Sequence, residues 1–280
     1  MTPRSKTAII LIGGGMRSAH GGGFLNALGL QLGITNPDII IGSSGNAGNA
    51  LYYASRQRKE YEYLRSIWTE LLSTTRFISY LRFYKIMNID YLVDSVLKQQ
   101  APMDVAALER SPISYLIPIT NATTGETRYV QREDGMDPFE IVRASAAIPV
   151  FYGKRVTFSG ERYVDGGLGP TMVDHVSEAM RAGANRIVLV NNRSPRTRSS
   201  DAVMKVYAHL VSKGLSNAIR HDLSEHASCV VAEDTTVLCV EPLLPTGALT
   251  RSKEKLARTF EIGVQDALAL EGELRTLLTV

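Results

Sequence analysis

Two short aliphatic runs, AIILI at 8–12 and III at 39–41, each end in a burst of glycine and small polar residues and then give way to a helical pattern. No other feature constrains the fold as much. An apolar run of this length without polar alternation fits a strand buried on both faces, as in a parallel sheet covered by helices. The rhythm continues downstream. AIILIG (8–13) predicts a first strand, and a helix follows from about Ala19 to Leu32, with Phe24, Leu28 and Leu32 at i, i+4 and i+8. DIIIG (38–42) predicts a second strand, leading to a helix from about Asn46 through Tyr52 and Tyr53. A long helical stretch is expected over 57–100, then a strand pair at 114–125 and 127–134 that turns at Thr124–Gly125. Further strands are expected at 154–167, 186–192 and 235–242, a helix at 172–183 stopped by Gly183, and a closing helix from about 250 to 277. Strands alternating with helices predict an α/β fold with a largely parallel sheet. With no internal repeat and no low-complexity linker, one domain over 1–280 is expected.

The 280 residues include 44% apolar and 21% charged residues, the balance of a soluble protein with a substantial core. A net charge of +3 is too small to argue for nucleic acid, and none is expected as a partner. The apolar run after the basic N-terminus is too short for a secretory signal, and no stretch approaches the ~18 apolar residues of a membrane span. A cytoplasmic location is the expectation. The two cysteines, Cys229 and Cys239, make no disulfide framework and are expected as reduced, buried thiols.

GGGMRSAHGGG (13–23) follows the first strand and opens a helix, where backbone N–H groups and the positive helix end can hold an anion. A dinucleotide fingerprint needs glycine where Ser18 stands and an acidic residue at the end of the second strand, where Gly42 stands. A nucleotide P-loop lacks its Gly-Lys-Ser/Thr. Two readings stay open: an oxyanion hole built from the glycine N–H groups, or a close strand–helix crossing in which glycine only relieves crowding.

GSSGN (42–46) places Ser44 at a strand-to-helix corner, close to the G-x-S-x-G of a nucleophile elbow but with Asn46 in the last position. The chain order of an α/β-hydrolase triad fits poorly, because this serine ends only the second strand. The five histidines, His20, His175, His209, His221 and His226, fall mostly in polar helical stretches and are expected at the surface. Asp165, in YVDGGLGP, is a carboxylate at a strand end followed by two glycines that leave room for a ligand; Asp-Gly is also a common turn dipeptide.

Taken together, GGGMRSAHGGGFLNAL, GSSGNAGNALYYA, RASAAIPVF (143–151) and YVDGGLGP resemble the patatin-like phospholipase family in kind and order, over roughly residues 7 to 192. The resemblance implies a three-layer α/β/α fold completed by residues 193–280, and a lipid acyl hydrolase with a Ser–Asp dyad and no metal or cofactor. It implies Ser44 as nucleophile and Asp165 as its base. Gly13, Gly14 and Gly15, with the Met16 N–H, would form the oxyanion hole, and Arg17 would be the basic residue beside it. Gly42, Gly45 and Asn46 would shape the elbow, and Gly166 and Gly167 would complete the Asp-Gly-Gly turn. The implied substrate is a phospholipid or another acyl ester. Two positions depart from the family pattern. Ser18 replaces a glycine and is expected to cap the following helix. Asn46 replaces another, and its tolerance of left-handed backbone, with room returned by Gly45 and Gly48, is expected to preserve the turn.

In RFISYLRFYKIMNIDYL (76–92), Phe77, Tyr80, Leu81, Tyr84 and Met87 stand beside Arg76, Arg82 and Lys85. This is the expected acyl-chain channel or lid, and a candidate for transient contact with a membrane surface, although such a stretch also reads as a helix packed on the core. NNRSPRTRSS (191–200) reads either as a basic loop that meets phosphate headgroups or as a solvated loop. Three functions are therefore carried forward: a serine acyl hydrolase, a catalytically weak protein of the same fold that binds lipid or a protein partner, and a nucleotide-binding α/β protein.

Overall fold

The computed structural model describes residues 5–82, 85–149, 151–193, 204–224 and 234–279. At its centre lies β1 (Lys6–Ile12), buried everywhere except Lys6. Successive side chains of a strand point to opposite faces. Ala8, Ile10 and Ile12 enter one core with Ile39 and Ile41 of β2 (Ile39–Gly42), whereas Ile9, Leu11 and Ile40 enter another. Burial on both faces is why neither strand carries alternating polar residues.

β3 (Ser114–Asn121), β4 (Thr127–Val130), β5 (Val156–Phe158), β6 (Glu161–Val164), β7 (Ala184–Asn191) and β8 (Thr236–Val240) complete the sheet. Among the described residues its order is β5-β6-β3-β2-β1-β7-β8, with β4 paired to β3. The five strands from β3 to β8 along this path run parallel, and β4, β6 and β5 join antiparallel at the other end.

Helices α1 (Ala19–Leu30), α2 (Ala47–Ala54), α3 (Arg58–Ser66), α4 (Val105–Arg110) and α5 (Pro138–Ser145) precede α6 (Met172–Arg181). α7 (Lys213–Ser224), α8 (Lys253–Ala269) and α9 (Glu271–Leu278) follow. Phe24 and Leu28 of α1, Leu51 of α2 and Phe260 of α8 fill the core on one face of the sheet, and Val176 and Ala179 of α6 fill the other. The fold is a three-layer α/β/α arrangement around a mostly parallel sheet.

α1 and α8 cross so closely that a Cβ on Gly23 would lie 1.9 Å from the Phe260 carbonyl oxygen, and one on Gly263 2.1 Å from that of His20. This contact accounts for glycine inside a helix, where each costs about 1 kcal/mol relative to alanine.

Three expected elements differ. The helix over 57–100 is broken: α3 continues through a wider turn at Ile67–Leu71, an irregular segment follows, and helix returns only at Tyr91–Gln100. At the break, Ser73 and Thr74 hydroxyls donate to the carbonyls of Glu70 (2.9 Å) and Leu71 (3.4 Å), a local bonding that competes with helix continuation. Residues 154–167 form the β5–β6 hairpin rather than one strand, because Ser159 and Gly160 both adopt positive φ (50° and 79°), the requirement of a tight two-residue turn. The closing helix is two helices that meet at Leu270. Cys239 is exposed on β8 rather than buried, and Cys229, His226, Tyr84 and residues 194–200 of the basic loop lie outside the described residues.

Candidate active site

β1 and β2 are neighbours in register, Leu11 beside Gly42, so the chain leaves both strands at the same carboxyl edge of the sheet. Ser43 ties the two exits together: its N–H donates to the Leu11 carbonyl (3.1 Å) and its hydroxyl accepts from the Gly13 N–H (2.8 Å). The next residue, Ser44, takes φ of +52°, a left-handed conformation that side-chain-bearing residues adopt at a cost of about 1–3 kcal/mol. A short turn over Ser44–Asn46 then enters α2. This strand–turn–helix backbone is the kind that a nucleophile elbow requires.

Ser44 Oγ donates to Asp165 Oδ2 at 2.7 Å, across 121 residues of sequence. Asp165 follows β6, with its N–H bonded to the Ala147 carbonyl (3.0 Å) and its Oδ1 accepting the Gly167 N–H (2.7 Å). Ser145, at the end of α5, joins both halves of the site. Its hydroxyl accepts the Ser44 N–H (3.1 Å), and its carbonyl accepts the Gly166 N–H (3.1 Å). Ser44 and Asp165 are both buried, at 7% and 3% exposure, so their hydrogen bond competes little with water.

Of the four backbone donors suggested for an oxyanion hole, two are engaged elsewhere. The Gly13 N–H points to Ser43, and the Met16 N–H donates to the Ala248 carbonyl (3.0 Å). The N–H groups of Gly14 and Gly15 have no acceptor among the described residues, and Gly15 turns through φ of +60°. Arg17 is half-buried, its Nε without a hydrogen-bond partner, and burial lowers its pKa. Ser18 does not cap α1: it is itself helical, its hydroxyl is buried without a partner, and its carbonyl accepts from Asn49 Nδ2 (2.9 Å).

Asn46 is fully buried and has right-handed backbone, φ −91°, so left-handed tolerance plays no part in its fit. Gly48 does not return room to it, since a Cβ there would meet only Val142 at 4.0 Å. Gly45 is glycine for a different neighbour, the Gly15 carbonyl oxygen and Ser18 hydroxyl, both 2.7 Å from a Cβ. The room for Asn46 comes from Gly21 on α1, where a Cβ would lie 2.3 Å from Asn46 Oδ1.

A buried polar chain runs behind the elbow. Asn46 Nδ2 donates to the Ile12 carbonyl and to Asn192 Oδ1, both at 2.9 Å, and Asn46 Oδ1 accepts from Asn49 Nδ2 at 2.8 Å. Trp68 Nε1 donates to Asn49 Oδ1 (2.8 Å), Asn192 Nδ2 meets His20 Nδ1 (2.9 Å), and His20 Nε2 meets Asp266 Oδ2 (2.8 Å). A carbonyl can only accept and an indole N–H only donate, so these two groups set the direction of every bond between them. The same direction makes His20 Nδ1 an acceptor and puts its proton on Nε2, facing Asp266.

Two of the four described histidines differ from expectation, whereas His209 and His221 are exposed as expected. His20 and His175 are completely buried, and burial holds His175 down at about 3 while its Nδ1 meets the Tyr129 hydroxyl (2.9 Å). No described histidine hydrogen-bonds to Ser44. Among the described residues no group of three or more His, Cys, Asp and Glu is placed to hold a metal ion. A cavity of about 40 Å³ borders Ser44 and Gly15 and is otherwise mostly apolar, lined among others by Trp68, Phe77, Met87 and Val142. Ser145 and Asn192 were not legible as site residues, because each acts through a partner distant in sequence, Ser44 and Asn46.

A family model described as patatin-like phospholipase matches residues 9–174, well over half of the chain and spanning every residue of the glycine loop, the elbow and the Asp-Gly-Gly turn. The chain belongs to the patatin-like phospholipase family. This patatin-like chain is also 26% identical over 191 residues to the uncharacterized protein YjjU of Escherichia coli (strain K12), a match covering 66% of the chain and 51% of YjjU. The chain thus spans about half the length of that curated relative. Its fold is similar to that of VipD from Legionella pneumophila, with a TM-score of 0.51 at 14% identity, over 96% of this chain and 67% of VipD. The family is in general one of lipid acyl hydrolases that act on lipid or other ester substrates. Among the described residues no helix is long and apolar enough to cross a membrane.

Proposed function

We propose that this patatin-like protein hydrolyses carboxylic esters of lipids through a Ser44–Asp165 dyad, all within a single domain of 280 residues. The observation that carries the proposal is the 2.7 Å hydrogen bond from Ser44 Oγ to Asp165 Oδ2 beside an apolar cavity. Asp165 takes the serine proton as Oγ attacks the ester carbonyl, and the negative oxygen that forms is held by the N–H groups of Gly14 and Gly15. The proton passes to the departing alcohol. Water, deprotonated by Asp165, then attacks the acyl-serine and frees the carboxylic acid. The Gly167 N–H on Asp165 Oδ1 leaves Oδ2 as the oxygen that faces serine.

The acyl chain enters among Trp68, Phe77 and Met87. Tyr80 and Leu81, on the same irregular segment, are 59% and 90% exposed, and the Tyr80 hydroxyl donates to the Leu249 carbonyl (2.9 Å) next to the loop that covers Gly15. Leu243, 89% exposed, stands on that second loop, and these apolar tips would make transient contact with a cytoplasmic membrane surface. The fit of Asn46 opposite Gly21 favours an active enzyme over a weakened one. Labelling by a fluorophosphonate probe tests the reading: the wild type should label, Ser44→Ala should not, and a Ser44→Ala protein that still labels or hydrolyses a nitrophenyl ester would sink it.

A further inference from the structure

The Ser44–Asp165 dyad leaves one buried titratable pair unused. His20, completely enclosed on α1, meets Asp266 Oδ2 of α8 through Nε2 (2.8 Å), and the Asp266 side chain is 33% exposed at the outer surface. Phe24 of the same helix stacks on the ring at 6.4 Å. In a His–Asp pair that serves a serine, the second ring nitrogen faces the nucleophile. Here it faces an amide: His20 Nδ1 accepts from Asn192 Nδ2 at 2.9 Å. A carboxylate can only accept, so Asp266 keeps the ring proton on Nε2 and leaves the Nδ1 lone pair to Asn192.

Asn192 stands between that ring and the reaction centre. Its Oδ1 accepts from Asn46 Nδ2 (2.9 Å), the amide that also binds the Ile12 carbonyl at the end of β1. Its backbone carbonyl packs against the glycine loop, where a Cβ on Gly14 would lie 2.4 Å from the oxygen. Gly14 carries one of the two proposed oxyanion donors, so a shift of Asn192 moves that donor with it. The hydrogen bonds continue past Asn46 to Asn49 and Trp68, which both line the apolar cavity. We propose that Asp266 and His20 are positioning residues for ester hydrolysis. They fix Asn192, and through it the Gly14 N–H and the Asn46 amide, at the separation that the oxyanion of an ester bound at Ser44 requires. Their effect on turnover rests on the acyl-hydrolase reading; the series of bonds from Asp266 to Trp68 does not. A donor aimed in advance needs no reorganisation as charge develops, so misplacing it lowers kcat more than it raises KM.

Replacing His20 in two ways separates this role from packing. Asparagine is short and brings its Oδ1 to the Nδ1 side of the lost ring, where it accepts from Asn192. Glutamine is longer, nearer to histidine in volume, and brings its amide to the Nε2 side, where it keeps Asp266 and leaves Asn192 without an acceptor. His20→Asn should hold kcat for a nitrophenyl ester within about threefold of wild type, and His20→Gln should lower it at least about tenfold with KM little changed. Trp68 is the protein's single tryptophan, so its emission reads the far end of the bonded series without turnover. In a Ser44→Ala background His20→Gln should shift that emission and His20→Asn should not. Mere filling of space predicts the opposite order, and a kcat of His20→Gln equal to or above that of His20→Asn would overturn the positioning role. If neither variant folds, the partly exposed Asp266 carries the test. The amide of Asp266→Asn can donate to Nε2 as well as accept, so the ring proton is no longer held there, and kcat should fall at least about threefold with a shift in emission. Unchanged kcat and emission in Asp266→Asn would overturn the role. Wild-type turnover by Ser44→Ala would overturn the dyad instead, while the emission shift of His20→Gln remained readable.

Discussion

Replacing Asn46 with glycine restores the residue usual in the family and so asks what the asparagine does. In this fold the side chain makes three hydrogen bonds, two donated to the Ile12 carbonyl and Asn192 Oδ1 and one accepted from Asn49. Glycine deletes all three in a fully buried place. Asn49 keeps its bond to the Ser18 carbonyl, but Asn192 Oδ1 and the Ile12 carbonyl each lose an acceptor's partner. A buried polar group left unpaired costs about 1–3 kcal/mol, so two of them predict a loss of roughly 2–6 kcal/mol. The slot opposite Gly21 empties as well, which adds to the loss. At about 2 °C or more per kcal/mol for a chain of this size, Tm should fall by at least ~4 °C. The Ile12 carbonyl is the last anchor before the glycine loop, so loosening it should lower kcat as well, and Asn46→Gly should not exceed wild-type esterase activity. Scanning calorimetry and nitrophenyl-ester turnover read the two effects separately. An unchanged Tm, or a gain in activity well beyond tenfold, would mean that Asn46 crowds the elbow and the reasoning fails.

Asp165→Asn should lower kcat by about 10²–10⁴-fold, since an amide cannot take the serine proton, while His175→Gln and His221→Gln cost far less; a histidine variant as inactive as Ser44→Ala would replace the dyad with a triad. Ser145→Ala strips the acceptor from the Ser44 N–H and should cost about 1–3 kcal/mol of stability and lower kcat more than it raises KM, which steady-state kinetics with unfolding curves would show. Glu60 is buried and its carboxyl is pushed up to about 7 by desolvation, so between its unfolded value near 4.5 and 7 the folded state holds a proton that the unfolded chain has lost. Stability from this group therefore falls as pH rises through that window. Glu60→Gln, which keeps an acceptor for the Asp104 N–H, should match wild type below the window and exceed it by roughly 3 kcal/mol above pH 7. Parallel pH profiles for the two proteins would refute this.

What could be read in the sequence was what the backbone itself must encode locally. The parallel core was legible because β1 and β2 are buried on both faces, which forces uninterrupted apolar runs. The elbow and the Asp-Gly-Gly turn were legible because a corner that tight admits few residue types. The burial of His20 was not, because α1 is enclosed on nearly every side and so shows no polar face against which a histidine could be placed. The break in the 57–100 helix was hidden for the opposite reason: its aromatic and basic residues keep a helical spacing although Phe77 and Met87 serve the cavity from irregular backbone. Asn192 and Asp266 could not be joined to Asn46 from any window of sequence, since they come from the residue after β7 and from α8.

The departures from the family pattern are linked by geometry more than by position. An elbow that closes on glycine gains its tightness from a missing side chain. Here the missing side chain has moved to α1, where Gly21 vacates the space that Asn46 fills, and the amide uses that space to bind both the end of β1 and the residue after β7. The glycine loop and the arginine at 193 leave the sheet from those two strand ends. Asn46 therefore fixes, through a single side chain, the spacing between the proposed oxyanion donors of Gly14 and Gly15 and the chain that leaves β7 at Asn192. In a glycine-closed elbow that spacing would rest on backbone contacts alone. On this argument Asn46→Gly should lower both stability and esterase rate, whereas Gly48→Ala, whose Cβ would meet only Val142 at 4.0 Å, should leave stability unchanged.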